Sequence, residues 1–201
     1  GFQNPDYVMA YWRSDYQANA NNPKPTACET ESKPSAQHPA PSLNTSNPNP
    51  PTIPIGNALR TYRLALACTG EYTVFHGGTT NQAMAAMTTS INRVNEVYEN
   101  ELAVRLIIVA NNSILIETDG ATDPYTNGTT GAMINEAQAE ITAAIGSENF
   151  DIGHLFGTNS GGLAGLGVVC TNSQKARGVT GSSAPVGDPF DIDYVCHEVG
   201  H

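Results

Sequence analysis

The last five residues of the chain constrain its fold and its chemistry more than any other stretch. They read His197-Glu198-Val199-Gly200-His201, which is an H-E-x-x-H pattern. On an α-helix, side chains four positions apart lie on one face, so both imidazoles can reach a single metal ion. The carboxylate next to the first histidine then lies beside the open side of the metal, where a water molecule would bind. The pattern predicts a zinc-binding helix in which Glu198 takes a proton from that water.

The residues before the motif also favour a helix. Asp188, Pro189 and Asp191 are typical of a first helical turn. Apolar residues then recur at helical spacing, namely Ile192, Val195 and Val199. An unrelated helix with two histidines is the alternative interpretation, because short motifs recur by chance. A catalytic zinc site also needs a third protein ligand, which this stretch does not contain.

Composition limits the class of protein. The 201 residues, 39% of them hydrophobic, provide for one good core. No stretch approaches the roughly 20 apolar residues of a membrane span, and no signal peptide is visible at Gly1. The net charge of -10 argues against nucleic acid as a partner, because phosphate binding requires clustered Lys and Arg. Charge, low lysine content and paired cysteines together favour a secreted or otherwise extracytoplasmic protein.

The four cysteines form an even set, which permits three pairings, and none stands in a C-x-x-C arrangement. We predict a disulfide between Cys170 and Cys196, which would close a loop of about 25 residues. A second disulfide is predicted between Cys28 and Cys68. Cys28 also has an alternative role, because a thiolate from an N-terminal segment can bind zinc and hold a zinc enzyme latent.

Residues 1–55 differ in composition from the rest of the chain. Ten of the thirteen prolines lie there, among many Asn, Ser and Thr residues. Such a segment buries too little apolar surface to form a core of its own. We therefore predict an extension over residues 1–55 and a folded domain over residues 56–201. The extension is either an interdomain linker or an inhibitory pro-segment that lies across a cleft.

The predicted domain alternates strands with helices, which indicates an α/β architecture with a mostly parallel sheet. Helical periodicity marks residues 79–102 and residues 132–145. In the first of these helices Asn95 is expected to face solvent, and His154 is expected to be a hydrogen-bonded core residue of a strand. The predicted strands cover residues 60–69, 103–110, 113–118 and 150–157.

Two further stretches have candidate binding roles, while residues 171–187 are predicted to be loop. Residues 161–170 are rich in glycine, and glycine in an extended stretch indicates close approach by another backbone. That backbone can be a peptide substrate that adds as a strand to an open sheet edge, and a flexible loop is the alternative. The turn-rich residues 119–131 contain Asp119 and Asp123. Their carboxylates either bind calcium or face solvent in an ordinary loop.

Over residues 60–201 the chain resembles the reprolysin-type metalloproteases of the metzincin clan. The similarity lies in residues 94–98 with the strand that follows, in the glycine-rich segment that ends at Cys170, and in the terminal H-E-x-x-H pattern. The resemblance implies a metzincin-like upper subdomain, which is an α/β fold with a twisted, mostly parallel five-stranded sheet and long helices. It also implies a zinc endopeptidase in which His197 and His201 bind the metal and Glu198 is the general base.

The same resemblance implies a substrate site and an incomplete catalytic domain. The substrate-binding edge would comprise Gly162, Leu163, Ala164, Gly165, Leu166 and Gly167. The third zinc-binding histidine of the family lies about ten residues after the first, beyond His201. The alternative function is a non-enzymatic extracellular interaction module with a protease-like fold. The presence of Glu198 favours the enzyme, since a binding module does not need a general base.

Overall fold

A computed structural model describes residues 28–30 and 58–201, and predictions about the remainder of the extension lie outside the described residues. The strands are β1 (Cys28–Thr30), β2 (Arg60–Cys68), β3 (Val104–Ile108), β4 (Ile152–Gly157), β5 (Gly161–Ala164) and β6 (Gly178–Gly181). The long helices are α2 (Thr80–Leu102) and α3 (Thr130–Ile145), and a short helix, α1 (Gly70–Phe75), precedes them. Within this part of the chain, no helix has the length and apolar character needed to cross a membrane.

One sheet joins the six strands in the order β1-β5-β6-β4-β2-β3. Strands β2, β3, β4 and β6 run parallel to one another, β5 is antiparallel to β6, and β1 is parallel to β5. Five of the six strands lie within residues 58–201. The predicted α/β architecture with a mostly parallel five-stranded sheet is therefore confirmed, and β1 adds a sixth strand at one edge.

Helix α2 has clear signals at both ends. The Thr79 hydroxyl accepts a hydrogen bond from the Gln82 N–H, and the helix ends at Ala103, which has a left-handed φ of 51°. Asn95 does not face solvent as predicted. Its side-chain amide donates to the Leu106 carbonyl at 2.9 Å and accepts from the Leu106 N–H at 2.8 Å. This buried pair of bonds fixes α2 to β3.

Two apolar cores lie on opposite faces of the sheet, because successive side chains of a strand point to opposite faces. Along β2, Leu64 and Leu66 belong to the core under α2, whereas Ala65 and Ala67 belong to the core under α3. The buried residues of α2 and α3 recur at helical spacing and pack against these two faces. The sheet is thus covered by helices on both sides, as a parallel sheet requires.

Two predictions of local structure were wrong. Residues 113–118 do not form a strand, because Asn112–Leu115 is a 3₁₀ turn. The side chain of Asn112 bonds to both the N–H and the carbonyl of Leu66, each at 2.8 Å, and so satisfies backbone groups of β2 that a neighbouring strand would use. Residues 171–187 are not all loop, since they contain β6, which pairs with both β4 and β5.

The predicted helix at the motif is present as a continuous helical segment over residues 188–199, which we call the C-terminal helix. It consists of an α-helical turn at Asp188–Phe190, a π-helix at Asp191–Cys196 and an α-helical turn at His197–Val199. Polar contacts join the N-terminal part of the segment to α2. The Ser90 hydroxyl donates to Asp191 at 2.6 Å, and Arg93 donates to Asp188 at 2.8 Å.

Candidate metal centre and peptide-binding edge

The polar side chains of the motif converge at the end of the C-terminal helix. Ligand atoms of His197, Glu198 and His201 all lie within 4.8 Å of one another, and no other such group of three occurs among the described residues. The two histidine Nε2 atoms are 3.1 Å apart, and their ring planes are inclined at 86°. Two nitrogen ligands of a tetrahedral zinc ion, with bonds of about 2.0–2.1 Å, are separated by about 3.3 Å. The spacing of the histidines therefore fits zinc.

The protonation of His201 also suits a metal. Burial, together with the neighbouring His197 imidazole, lowers the pKa of His201 below its usual range. A lowered pKa favours the neutral ring, which is the form of histidine that binds metal ions.

Glu198 is enclosed between the motif and the sheet. Its side chain is 0% exposed, and its Oε2 lies 3.9 Å from the Nε2 of His201. Its Oε1 faces β5 at Gly162, where an added Cβ atom would lie only 2.3 Å from that oxygen. A carboxylate held beside two imidazoles and against a strand can exchange a proton with a water molecule bound between them.

The glycine-rich segment runs along the whole motif. At one end Gly162 contacts Glu198, and at the other end the Gly167 N–H donates to the carbonyl of His201 at 2.8 Å. The six predicted substrate-binding residues lie in β5 and directly after it, and Leu163 belongs to the core on the α3 side of the sheet. Three of them form the buried strand β5, and three follow it: Gly162, Leu163 and Ala164, then Gly165, Leu166 and Gly167.

The sheet edge that was predicted to be open is paired with β1. Cys28 lies opposite Gly162, and the next two residues of β1 continue the register along β5. This contact brings a part of the proline-rich extension next to the motif. The composition of the extension gave no signal for a strand at this position.

A cavity of about 240 Å³ opens beside the motif. Glu198 and His201 contribute to its wall together with apolar side chains, including Leu102, Val104, Ile152 and Val199. The cavity provides room for an apolar side chain within reach of the carboxylate. Sequence periodicity had marked some of these residues as core but gave no indication of a cavity.

The predicted disulfides are not formed in the structure, where Cys68, Cys170 and Cys196 have free thiols. Strand order excludes the Cys28–Cys68 pair. The strands that carry them are four strand spacings apart, or about 19 Å, whereas bridged Cα atoms are less than about 7 Å apart. Cys68 is fully buried, and burial raises the pKa of its thiol to about 12, so it is protonated at neutral pH.

Cys170 and Cys196 lie in different local environments. Cys170 is exposed in a left-handed turn with a φ of 60°, and its N–H donates to the carbonyl of Asp151. Cys196 lies in the C-terminal helix, and its carbonyl accepts a hydrogen bond from Tyr98. The predicted disulfide between them is not present in the structure, where both thiols are free.

Two other predicted features are not part of the motif cluster, although His154 also lines the cavity beside it. His154 is a core residue, as predicted, with 1% exposure and its Nε2 2.7 Å from the Thr180 hydroxyl oxygen. In the acidic loop, Asp119 accepts from the Ala121 N–H and Asp123 accepts from the Gly70 N–H. These bonds occupy carboxylate oxygens with backbone partners, and calcium binding by the loop stays a prediction.

One contact at the motif was not predicted. The Tyr98 hydroxyl donates to the carbonyl of Cys196, the residue before His197, at 2.6 Å. Helical periodicity predicted the helix that carries Tyr98, but spacing carries no information about the partner of a hydroxyl group.

Comparisons with known proteins identify the family. None of the curated proteins matches the chain. A solved structure described as "Structure of a chaperone-substrate complex" is 18% identical over 71% of this chain, with a TM-score of 0.49. The match spans only 23% of that chain, and a likeness at this level carries no argument about function. The family described as "Metallo-peptidase family M12B Reprolysin-like" matches residues 58–201, which is most of the sequence. The chain therefore belongs to the reprolysin-like metallopeptidases of family M12B.

Proposed function

We propose that the chain contains the metal-binding part of a secreted zinc endopeptidase that hydrolyses peptide bonds in proteins. The supporting observation is the convergence of His197, Glu198 and His201 beside a strand edge, in a chain of a metallopeptidase family. A zinc ion bound there supplies a Lewis acid that polarises the scissile carbonyl and makes a bound water more acidic. The remaining chemistry is assigned to side chains and backbone groups of the chain itself.

In this proposal the two histidines hold the metal and Glu198 moves the proton. A catalytic zinc ion takes three protein ligands, and the motif offers two imidazoles besides Glu198. The third ligand is therefore assigned to a residue outside the motif. Glu198 accepts a proton from the attacking water and then gives it to the nitrogen of the leaving amine.

The peptide substrate is assigned to the segment from Gly162 to Gly167. A substrate strand that takes the place of β1 on β5 gains backbone hydrogen bonds, and this lays its carbonyl groups beside the motif. The close packing of Gly162 on Glu198 supports this position, because it brings the strand edge and the carboxylate into contact. Hydrolysis and edge binding would then occur on one face of the protein.

The experiment is cleavage of an unstructured protein such as casein by the full-length protein and by its Glu198→Gln variant. We expect cleavage that a chelator abolishes and a rate about 10²–10⁴-fold lower for the variant. The variant should bind zinc as well as the unchanged protein does, because the histidines are intact. Near-normal turnover of Glu198→Gln would contradict the assigned role. A complete lack of chelator-sensitive cleavage would favour the alternative, an extracellular interaction module without activity.

We further propose that the segment containing β1 is inhibitory. It occupies the hydrogen-bonding groups of β5 that a substrate would need, with Cys28 in register with Gly162. Gly162 packs on Glu198, so the register brings position 28 of the chain near the motif. A cysteine thiolate is a good zinc ligand, and Cys28 is therefore the candidate latency ligand. The alternative interpretation, an interdomain linker, requires neither effect.

Three forms of the full-length protein separate these interpretations: unchanged, Cys28→Ser, and Glu29→Pro. Proline removes a backbone donor from β1 and disfavours the strand. An inhibitory segment predicts faster cleavage by Glu29→Pro, and a thiolate ligand predicts faster cleavage by Cys28→Ser as well. Equal rates for all three forms would support the linker.

A further inference from the structure

The hydrogen bond between Tyr98 and Cys196 lies at an irregular point of the C-terminal helix. In a regular α-helix the carbonyl of Cys196 would accept from the N–H four residues later, at Gly200. Here the Gly200 N–H donates to His197 at 3.1 Å instead, and the preceding six residues form a π-helix. The Cys196 carbonyl accepts from the Tyr98 hydroxyl at 2.6 Å. A side chain of α2 thus takes the place of a helical donor at the turn that carries both histidines.

The surroundings of this bond are tight. Tyr98 is 5% exposed, and burial raises the pKa of its phenol above the usual range, so the hydroxyl stays protonated and can donate. A Cβ atom added at Gly200 would lie 3.1 Å from the Cys196 carbonyl oxygen and 3.2 Å from the Tyr98 hydroxyl. Gly200, which lies between Glu198 and His201 in the sequence, therefore packs directly on the hydrogen bond.

We infer that Tyr98 is a positioning residue that holds the His197–His201 turn at the spacing needed for two ligands of one metal ion. The expected effect on metal binding rests on the proposed function. The geometry of the turn does not depend on that function. Without this bond the Cys196 carbonyl would lose its donor, and the turn could relax toward a regular α-helix. The two Nε2 atoms, now 3.1 Å apart, would then no longer be fixed at that distance.

The test compares Tyr98→Phe with Tyr125→Phe in otherwise unchanged protein. Phenylalanine keeps the ring and removes only the hydroxyl. Tyr125 is a matched control because it is 8% exposed and belongs to the core on the other face of the sheet. Amide hydrogen exchange of the metal-free proteins is measured first, at Gly200 and His201 and at β3. Zinc affinity is then measured by titration.

For Tyr98→Phe we expect the exchange rate at Gly200 and His201 to rise about 10-fold, which is the effect of losing one hydrogen bond. The exchange rate at β3 should not change. Zinc affinity should fall about 10-fold or more, as for other residues that orient metal ligands. Tyr125→Phe should change neither quantity. Equal acceleration at β3 and at the motif would overturn the inference, because it would indicate a general loss of stability. Unchanged exchange at the motif would overturn it as well.

The test also gives an answer in two cases of failure. If the unchanged protein does not bind zinc, the proposed function fails, while amide exchange still decides the role of Tyr98. If Tyr98→Phe does not fold, Gly200→Ala replaces it. Alanine favours a helix by about 0.5–1 kcal/mol and should slow exchange at His201 unless it disturbs the bond. Faster exchange at His201 in Gly200→Ala supports the inference, and slower exchange contradicts it.

Discussion

Gly162 is the residue at which the strand edge and the motif meet. The sequence predicted close approach by another backbone, because glycine stood in an extended stretch. In the structure the backbone of β1 pairs with β5 there, and the side chain of Glu198 also packs against the position a Cβ atom would fill. Glycine spacing can predict that room is needed, but it cannot predict which group fills that room.

This contact leads to a prediction for Gly162→Ala. The added methyl group would overlap the carboxylate, so Glu198 must shift or the strand must move. We expect cleavage by the full-length protein to fall on the order of 100-fold, the usual effect of misplacing a catalytic group by about 1 Å. Gly131→Ala is the matched control, because nothing lies within 4 Å of that position. Full activity in Gly162→Ala would contradict the account.

His154 gives a prediction about pH at the scale of one residue. Burial lowers its pKa to about 3 in the folded protein, whereas in the unfolded chain the value is about 6.5. Below pH 6.5 the unfolded chain therefore binds a proton that the folded protein does not bind. Stability is full above pH 6.5 and is lost as the pH falls toward 3.

Between pH 7.5 and pH 5.0 we expect His154 to cost about 2 kcal/mol of unfolding free energy. Urea denaturation at both pH values measures this loss. The same measurement on His154→Gln should give a loss smaller by about that amount, because glutamine does not titrate. An equal loss in both proteins would show that His154 is protonated in the fold.

At the scale of elements, the long helices and the strands β2, β3 and β4 could be predicted, whereas β6 and α1 could not. Helices α2 and α3 have enough turns for an apolar stripe to stand out, so their bounds were predicted to within two residues. The four residues of β6 begin and end with glycine and are buried on both faces, which leaves no alternation to detect. The six-residue helix α1 is likewise too short for a periodic signal.

The contact between α2 and the C-terminal helix gives a prediction at this scale. Asp191 is 4% exposed, burial raises its pKa, and the Ser90 hydroxyl donates to it. Ser90→Ala removes that donor and leaves a buried acceptor, which should cost about 1–3 kcal/mol of stability. Urea unfolding measures the change, and the exposed Ser113→Ala should stay within about 0.5 kcal/mol. A neutral Ser90→Ala would show that Asp191 has another adequate partner.

At the scale of the whole molecule, residues 58–201 contain both apolar cores and five of the six strands. Removal of residues 1–57 would expose one edge of β5 and leave the cores unchanged. We expect the shortened protein to melt cooperatively, with a midpoint lowered by less than about 4 °C, the equivalent of about 1 kcal/mol. Calorimetry of both proteins tests this. Loss of a cooperative transition would mean that the extension is part of the folding unit.

The chemistry of the molecule was easier to predict than its cross-links. A five-residue motif fixes its own geometry once it is helical, so the cluster of His197, Glu198 and His201 followed from spacing. Cysteine pairing depends on which strands are neighbours, and strand order is not encoded in the spacing of cysteines. Cys28 and Cys68 therefore lie far apart in the sheet although both precede α2 in the sequence.

The proposed function requires that His197 and His201 together bind one zinc ion. Crystals grown with zinc would show this ion in an anomalous difference map at the zinc edge. We predict one peak about 2.0–2.1 Å from the Nε2 atoms of both histidines, with Glu198 beside the ion and not bonded to it. A map with no peak at the two histidines, or with zinc bound through Glu198 in place of one of them, would contradict the account.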